Sequence, residues 1–263
     1  MIRQDREIKE LFRAKIGAKV EREKQMRACI GEEVPSWIRW ALKPVAELHF
    51  EAVRARDASR GEGGEDAVAL RFRLILSREW VLVNDAVLEP EPEEFAQIDH
   101  VVIGPPRIYL VETKAWEGAL LGYRDNWKRK QGGSWVSCSS PTRQNARHAR
   151  LFAKWLRGTG IALPAAPEEL VRPVVLFTRC RWLKAEECSM PVFDSGTELA
   201  FWLRRQGKDC LSEEQVDAIA RAVAEARPCE AGRAGAEVAR GKTGGGGNTS
   251  GCAARGNKLR PCA

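Results

Sequence analysis

Long apolar runs and paired cysteines are the two features most clearly missing from this 263-residue chain. No apolar stretch approaches the ~20 residues that a membrane-spanning helix needs, so no membrane partner is expected. The N-terminus, Met1-Ile2-Arg3-Gln4-Asp5-Arg6-Glu7, is charged from the outset and lacks the apolar centre of a secretory signal. A cytoplasmic location is the expectation. The eight cysteines (Cys29, Cys138, Cys180, Cys188, Cys210, Cys229, Cys252, Cys262) include no C-x-x-C pair. In a reducing compartment they read as buried or incidental thiols rather than a disulfide framework.

What is present describes an ordinary soluble protein: 44% hydrophobic and 30% charged residues. The length allows one sizeable domain plus extensions. The net charge of +7 is unevenly placed. From Arg124 to Arg157 nine Lys/Arg face the single Asp125, and the tail from Pro228 onward has six Lys/Arg against two Glu. The remainder is acidic. A basic segment within an otherwise acidic chain suits a polyanionic partner, although a solvated helix face has the same composition.

Residues 1–30 carry Ile8, Leu11, Phe12, Ile16 and Val20 at the spacing of one apolar stripe, which predicts an amphipathic helix. Pro35 to Phe50 reads as a second helical segment, and Ser59 to Gly64 as a glycine-rich break. These divide the chain into a helical N-terminal extension (1–58), a main domain with C-terminal helices (59–227) and a glycine-rich, flexible, basic tail (228–263). After the break, Glu65 opens a helical pattern with Val68, Ala69, Phe72, Ile75 and Leu76 on one face. Trp80 to Leu88 is strand-like. Trp127 to Val136 holds a hairpin around Gly132-Gly133, and Thr142 to Arg157 is a helix. Val171 to Thr178 is a buried strand interrupted by Pro173. Helices follow over Thr197–Arg205 and Leu211–Ala226, the latter with a Ser212/Gln215 capping box.

The chemistry concentrates in one predicted hairpin. Gln97-Ile98-Asp99-His100-Val101-Val102-Ile103 and Ile108-Tyr109-Leu110-Val111-Glu112-Thr113-Lys114 are β-branched runs joined by Gly104-Pro105-Pro106-Arg107. If Ile103 pairs with Ile108, Asp99 lies across from Glu112 and Gln97 across from Lys114. Alternation then puts Asp99, Glu112 and Lys114 on one face, with opposed Cβ atoms ~4.5–5.5 Å apart. Two carboxylates that close repel, and a divalent cation with oxygen ligands offsets the repulsion. The neighbouring lysine can orient or deprotonate an attacking water, or stabilise charge on a phosphate. A plain charge cluster at a strand edge, with Lys114 neutralising Glu112, is the competing reading, and a one-residue slip would separate the acids.

These residues resemble the NERD (nuclease-related) domain, a branch of the PD-(D/E)XK restriction-endonuclease-like superfamily. The resemblance rests on Gly64-Glu65, Gln97-Ile98-Asp99-His100-Val101-Val102, Val111-Glu112-Thr113-Lys114 followed by Gly118, Ser140-Pro141 with Gln144 and His148, and Val174-Val175-Leu176-Phe177, in that order. It covers roughly residues 60–180. Ser140 stands where the family usually has asparagine, and Pro105-Pro106-Arg107 departs from its usual turn. The resemblance implies an α/β fold with a restriction-endonuclease-like mixed β-sheet core flanked by helices. It also implies Mg²⁺, with Mn²⁺ as a substitute, held by Asp99, Glu112 and the Thr113 carbonyl. Lys114 would be the catalytic lysine, Glu65 the acid from the first core helix, and Gln144 the helix-borne glutamine. The expected activity is hydrolysis of phosphodiester bonds, DNA favoured, by metal-activated water. A catalytically inactive nucleic-acid-binding adaptor of the same fold is the alternative, and a protein partner on the N-terminal helix is a third.

Lys128, Arg129, Lys130, Arg143, Arg147 and Arg150 are the candidate phosphate contacts. Trp116, Trp127 and Trp135 lie near them, and burial in the core is the expected fate of all three rather than stacking on bases. His148 reads as a core or hydrogen-bonded histidine and His100 as structural. In the tail, Gly241-Lys242-Thr243 lacks both the leading glycine and the strand of a P-loop. Cys229, Cys252 and Cys262 resemble at most a degraded zinc ribbon, one ligand short of a closed site, so zinc is not expected.

Overall fold

The protein is described from a computed structural model covering residues 2–31, 68–207 and 209–229, with side chains at 26–31 left aside. The expected helix at Pro35–Phe50, the glycine-rich break, Glu65 and the tail beyond Cys229 lie outside the described residues. In chain order the elements are β1 (Ile2–Arg3), α1 (Arg6–Gly31), α2 (68–75), β2 (Val81–Glu91), β3 (Glu94–Ile103), β4 (Ile108–Lys114), β5 (Gly118–Tyr123), β6 (Asn126–Gln131) and β7 (Ser134–Cys138). They continue with α3 (Pro141–Gly158), α4 (Pro167–Leu170), β8 (Val171–Phe177), β9 (Cys180–Glu186), β10 (Val192–Phe193), α5 (Gly196–Arg204) and α6 (Glu213–Ala224).

A six-stranded mixed sheet in the order β1-β2-β3-β4-β8-β10 forms the centre. The β2-β3-β4 meander is antiparallel, whereas β8 runs parallel to β4, β10 to β8 and β1 to β2. Helices cover both faces. On one, Phe152 and Leu156 of α3 and Val216, Ile219 and Val223 of α6 pack on Val83, Val101, Ile103, Ile108 and Leu110. On the other, Val68, Ala69 and Phe72 of α2 and Leu199, Ala200 and Leu203 of α5 pack on Leu82, Val102, Tyr109, Val111, Val174 and Leu176. Alternation along β4 therefore sends Ile108 and Leu110 to the α3 side, and Tyr109 and Val111 to the α2 side.

The turn that sets the β3–β4 register forms as the residues require. Gly104 and Arg107 exchange two backbone hydrogen bonds of 3.1 Å each. A Cβ at residue 104 would lie 2.3 Å from the Trp80 ring, so this position needs glycine for close approach. The α3 helix begins on Ser140, whose hydroxyl accepts from the Arg143 N–H, with Pro141 in the first turn. The Ser212/Gln215 capping box is present at α6.

Three features depart from the sequence reading. First, β8 runs unbroken through Pro173, which sits opposite Leu110. The Val175 N–H two residues on points away from β4, to the Pro191 carbonyl, so the Pro173 nitrogen lies on that same side, where β10 pairs only with Val175 and Leu176 and no ladder donor is lost. The Asn145 amide of α3 donates to the Leu110 and Val174 carbonyls at 2.9 and 2.8 Å and ties the helix to both strands. Second, β5, β6, β7 and β9 form a separate four-stranded sheet in the order β7-β6-β5-β9. Only its β6–β7 hairpin was legible. Third, Ile2–Arg3 form a strand rather than the start of the first helix.

The N-terminal segment is joined to the core by polar as well as apolar contacts. Gln4 is buried; its amide accepts from the Val87 N–H at 3.0 Å and donates to the Val87, Val223 and Ala226 carbonyls at 2.9–3.3 Å. Phe12 of α1 is buried edge-on to Phe95, with ring centroids 6.5 Å apart. Gln4→Ala leaves a buried N–H and several carbonyls without partners, a loss of about 1–3 kcal/mol or more. A urea midpoint unchanged from wild type would show that Gln4 does not join these elements.

Candidate active site

The β3–β4 pairing follows the expected register, from Ile103↔Ile108 to His100↔Val111, and ends there. It ends because Asp99 leaves the ladder: its Oδ2 accepts the Thr113 backbone N–H at 2.7 Å. The same residue marks a break on the other side of β3. In the β2–β3 ladder Asn84↔His100 is followed by Ala86↔Ile98, with the Asp85–Asp99 step missing and Asp85 at φ 51°. Ile98 and Val101 consequently pack in the same cluster although three residues apart, as do Val83 and Ala86. Strict alternation placed Gln97 across from Lys114. Instead Gln97 donates to Asp85 Oδ1 at 3.0 Å, because the phase of β3 changes at Asp99.

Glu112 and Lys114 follow Ile108 and Leu110 on the α3 side of β4, where the apolar core gives way to charge. Both are nearly fully buried, and the Lys114 ammonium hydrogen-bonds the Glu112 carboxylate directly. α3 completes the surroundings. Gln144 Oε1 accepts from Lys114 Nζ at 3.2 Å, and His148 Nδ1 lies 3.5 Å from Glu112 Oε2. His148 lies four positions after Gln144, about one helical turn, so one stretch of α3 addresses both members of the pair. Asp99, Glu112, Lys114 and Gln144 are thus linked around the Glu112–Thr113 peptide. Glu65 lies outside the described residues.

Burial acts to raise the Glu112 pKa. The Lys114 charge, and after it the hydrogen bond and charge of His148, outweigh that effect and hold the carboxyl well below its ordinary range. Glu112 is therefore a carboxylate at neutral pH, despite its burial.

The donor chemistry fits a hard divalent ion. Asp99 and Glu112 offer carboxylate oxygens, and the Thr113 carbonyl faces β3 on the same side as the N–H that Asp99 receives. Among the described residues no three His, Cys, Asp or Glu side chains converge into a ligand cluster. Mg²⁺ needs none, since one or two carboxylates with retained waters are its usual environment. Among the described residues Cys138, Cys180, Cys188, Cys210 and Cys229 are free thiols. Cys229 lies beside Glu89, whose carboxylate accepts its N–H at 2.9 Å.

The candidate phosphate contacts do not form one surface. Lys128 and Lys130 are exposed on one face of the second sheet. Arg129 points to the other, where its guanidinium lies 5.2 Å from the Trp116 ring centre. Arg143 donates to Asn126 at 2.8 Å, Arg147 reaches the Phe95 carbonyl at 3.5 Å, and Arg150 is exposed. Trp127 is buried on Phe177 and Trp116 is half-buried, but Trp135 is exposed, contrary to expectation. His100 is buried with Asn84 Oδ1 2.7 Å from its Nδ1, as a structural histidine should be. Two residues escaped the sequence reading. Asn145 gave no signal beyond its place on the buried face of α3. Trp182 belongs to a strand that lacks the alternation by which strands are recognised.

Glu112 generates a pH prediction. A carboxyl whose folded pKa lies below its unfolded value, ~4.3, adds stability that is complete above the unfolded pKa and lost as pH falls through the folded one. Stability measured by urea midpoint should therefore decline below about pH 4, and Glu112→Gln should flatten that decline. An equally steep acid limb in the variant would contradict the assignment.

Comparison with known proteins agrees with this geometry. Residues 60–178 match the family model of the nuclease-related domain. An uncharacterized protein of Bacillus anthracis is 27% identical over 99 residues, covering 37% of this chain and 46% of the relative, so the match spans about half of that protein's length. No solved structure matches the chain. Residues 60–178, a little under half of the chain, are thus similar to the nuclease-related (NERD) domain, and the β3–β4 acids, the lysine beside them and the parallel β8 strand are consistent with a place in the PD-(D/E)XK superfamily.

Proposed function

We propose that the chain is a metal-dependent nuclease that hydrolyses phosphodiester bonds, with DNA the favoured substrate. The observation that carries this reading is the Glu112–Lys114 pair, buried at the end of a central strand beside the Asp99 carboxylate. Placing two charges in a protein interior costs several kcal/mol per ion, and apolar residues of similar size often serve stability as well or better. Charged groups retained in such surroundings mark functional sites more often than structural ones.

Each residue has a role that its position supports. Asp99, Glu112 and the Thr113 carbonyl would hold Mg²⁺, or Mn²⁺ in its place. That ion would supply Lewis acidity towards the phosphate and lower the pKa of a bound water. Lys114 orients the attacking water or offsets charge gathering on the phosphate. Gln144 holds the Lys114 ammonium in place through its carbonyl oxygen. His148 shares Glu112 with Lys114 and keeps that carboxylate ionised. By the family resemblance Glu65, outside the described residues, would complete the acidic set.

One observation favours the second reading, a nucleic-acid-binding adaptor without turnover. Glu112 already has Lys114 at one oxygen and His148 near the other, so an arriving cation must share the carboxylate.

Cleavage of plasmid and linear DNA with 5 mM Mg²⁺ or Mn²⁺ separates the two. Asp99→Asn and Lys114→Ala should each reduce cleavage by about 100-fold or more, the range of a lost acid–base group, and chelation should abolish it. Full cleavage by a homogeneous Lys114→Ala preparation would defeat the nuclease reading. Salt-sensitive DNA binding with no cleavage under either metal would establish the adaptor. Metal occupancy has its own readout: Mg²⁺ should raise the wild-type melting temperature, since a ligand selective for the folded state stabilises it. The same titration should leave Asp99→Asn unmoved.

A further inference from the structure

The second sheet has one face in the core and one in solvent. Leu120 and Trp127 look inward onto Phe177. Paired residues share a face. The registers Lys130↔Trp135, Lys128↔Ser137, Leu121↔Lys128, Leu121↔Lys184 and Ala119↔Trp182 therefore gather Trp135, Trp182, Lys128, Lys130 and Lys184 on the outer one. Trp135 is 40% exposed and Trp182 46%. They sit on β7 and β9, the two outermost strands. Three strand spacings amount to about 14 Å, yet their ring centroids are only 6.1 Å apart. The rings lean together across the sheet, over the small Ala119.

We propose that this outer face is a stacking platform for single-stranded nucleic acid, on which unpaired bases rest against Trp135 and Trp182 while Lys128, Lys130 and Lys184 follow the phosphates. Tryptophan is usually well buried, and two exposed indoles in mutual contact offer π-faces that any base can use. Among the described residues Lys128 and Lys130 engage no carboxylate, and Lys184 meets only Glu186 at 3.2 Å. The positive sign argues for a polyanion. It also argues against the other covers. In a two-fold contact this face would set lysines against lysines. The chain's own tail has six Lys/Arg and two Glu from Pro228 onward, the wrong charge to bind here. Duplex is the poorer occupant because its bases are already stacked.

The platform continues directly from the candidate active site. Ala119 lies five positions after Lys114, at most about 18 Å of extended chain. Lys114 O accepts the Thr178 N–H at 3.0 Å where β8 leads towards β9. A strand held on the indoles would lie near the scissile position. This inference rests on the nucleic-acid reading above but not on turnover.

The experiment uses the full chain with EDTA present, so that cleavage cannot intervene. Fluorescence anisotropy compares a labelled 20-nucleotide oligothymidylate with a 20-base-pair duplex. The double variant Trp135→Ala/Trp182→Ala should weaken oligothymidylate binding roughly 10-fold or more and duplex binding less than about 2-fold, and Trp135→Phe/Trp182→Phe should restore most of the affinity. Lys128→Glu/Lys130→Glu, at exposed positions, supplies a second reading should the indole variant fold poorly. It should weaken binding and shallow the salt dependence by about 0.7 in log–log slope for each phosphate no longer neutralised. Unchanged oligothymidylate affinity in either double variant overturns the proposal. So does an equal weakening for duplex, or a dimer in sedimentation that the indole substitutions dissociate. A chain that binds through the indoles but never cleaves retains the platform and loses the nuclease reading. One that cleaves and ignores the indoles does the reverse.

Discussion

Glu112 and Lys114 meet inside the protein, and a buried ion pair has to be supported from every side or it destabilises the fold. The support is visible. β4 is a central strand: parallel β8 pairs with it through Lys114, while antiparallel β3 pairs with it only as far as Val111. α3 supplies Gln144 to the lysine and His148 to the glutamate. β3 supplies the Asp99 carboxylate to the next peptide N–H. Removing the charges would leave a helix with a polar face over an apolar strand, and the rest of the arrangement would have no purpose.

α3 is placed by a different set of groups from those it brings to the site. Its N-terminus is set by Ser140 and Pro141. Its body is set by Phe152 and Leu156 in the core and by the Asn145 amide on the β4 and β8 carbonyls. Asn145 adjoins Gln144 in sequence, so the contact that fixes the helix over the sheet also fixes the glutamine beside Lys114. The contacts that position the helix thus lie on a rigid element, next to the residue they place. The second sheet is an outgrowth of the same two strands, since β5 follows β4 and β9 follows β8 after short connections. Whatever its outer face binds is thereby tied to the end of the strand that holds the acid and the lysine.

Much of the site was legible because a hairpin is local. Four loop residues determine which residues pair, and the Ile103↔Ile108 match carried Asp99 and Glu112 to neighbouring strands. The error at Gln97 has a clear cause. Period-two alternation assumes a continuous ladder, and Asp85 at positive φ with Asp99 turned onto Thr113 breaks it. β8 was misread at Pro173 because proline's missing N–H counts against a strand interior, whereas here the proline nitrogen lies on the side away from β4, outside the residues that β10 pairs. β5 and β9 were missed for a related reason. In Gly118–Tyr123 the buried face is only Leu120 and a glycine, and Cys180–Glu186 is mostly exposed and charged, so no periodic pattern announces them.

Local order along the chain was enough to settle the hairpin, the helices α3 and α6 and the mixed α/β class. These depend on turns, caps and spacings within a few residues. The depth at which Glu112 and Lys114 are buried, the approach of Gln144 and His148 to them, and the joining of β9 to β5 were decided only by the fold. Each brings together residues far apart along the chain. Likewise the tryptophans that the sequence assigned to the core were sorted by the sheet: pairing register sent Trp127 inward and Trp135 outward to meet Trp182. A residue's neighbours along the chain constrain its backbone, but its burial depends on which surfaces pack against it, and those come from elsewhere in the chain.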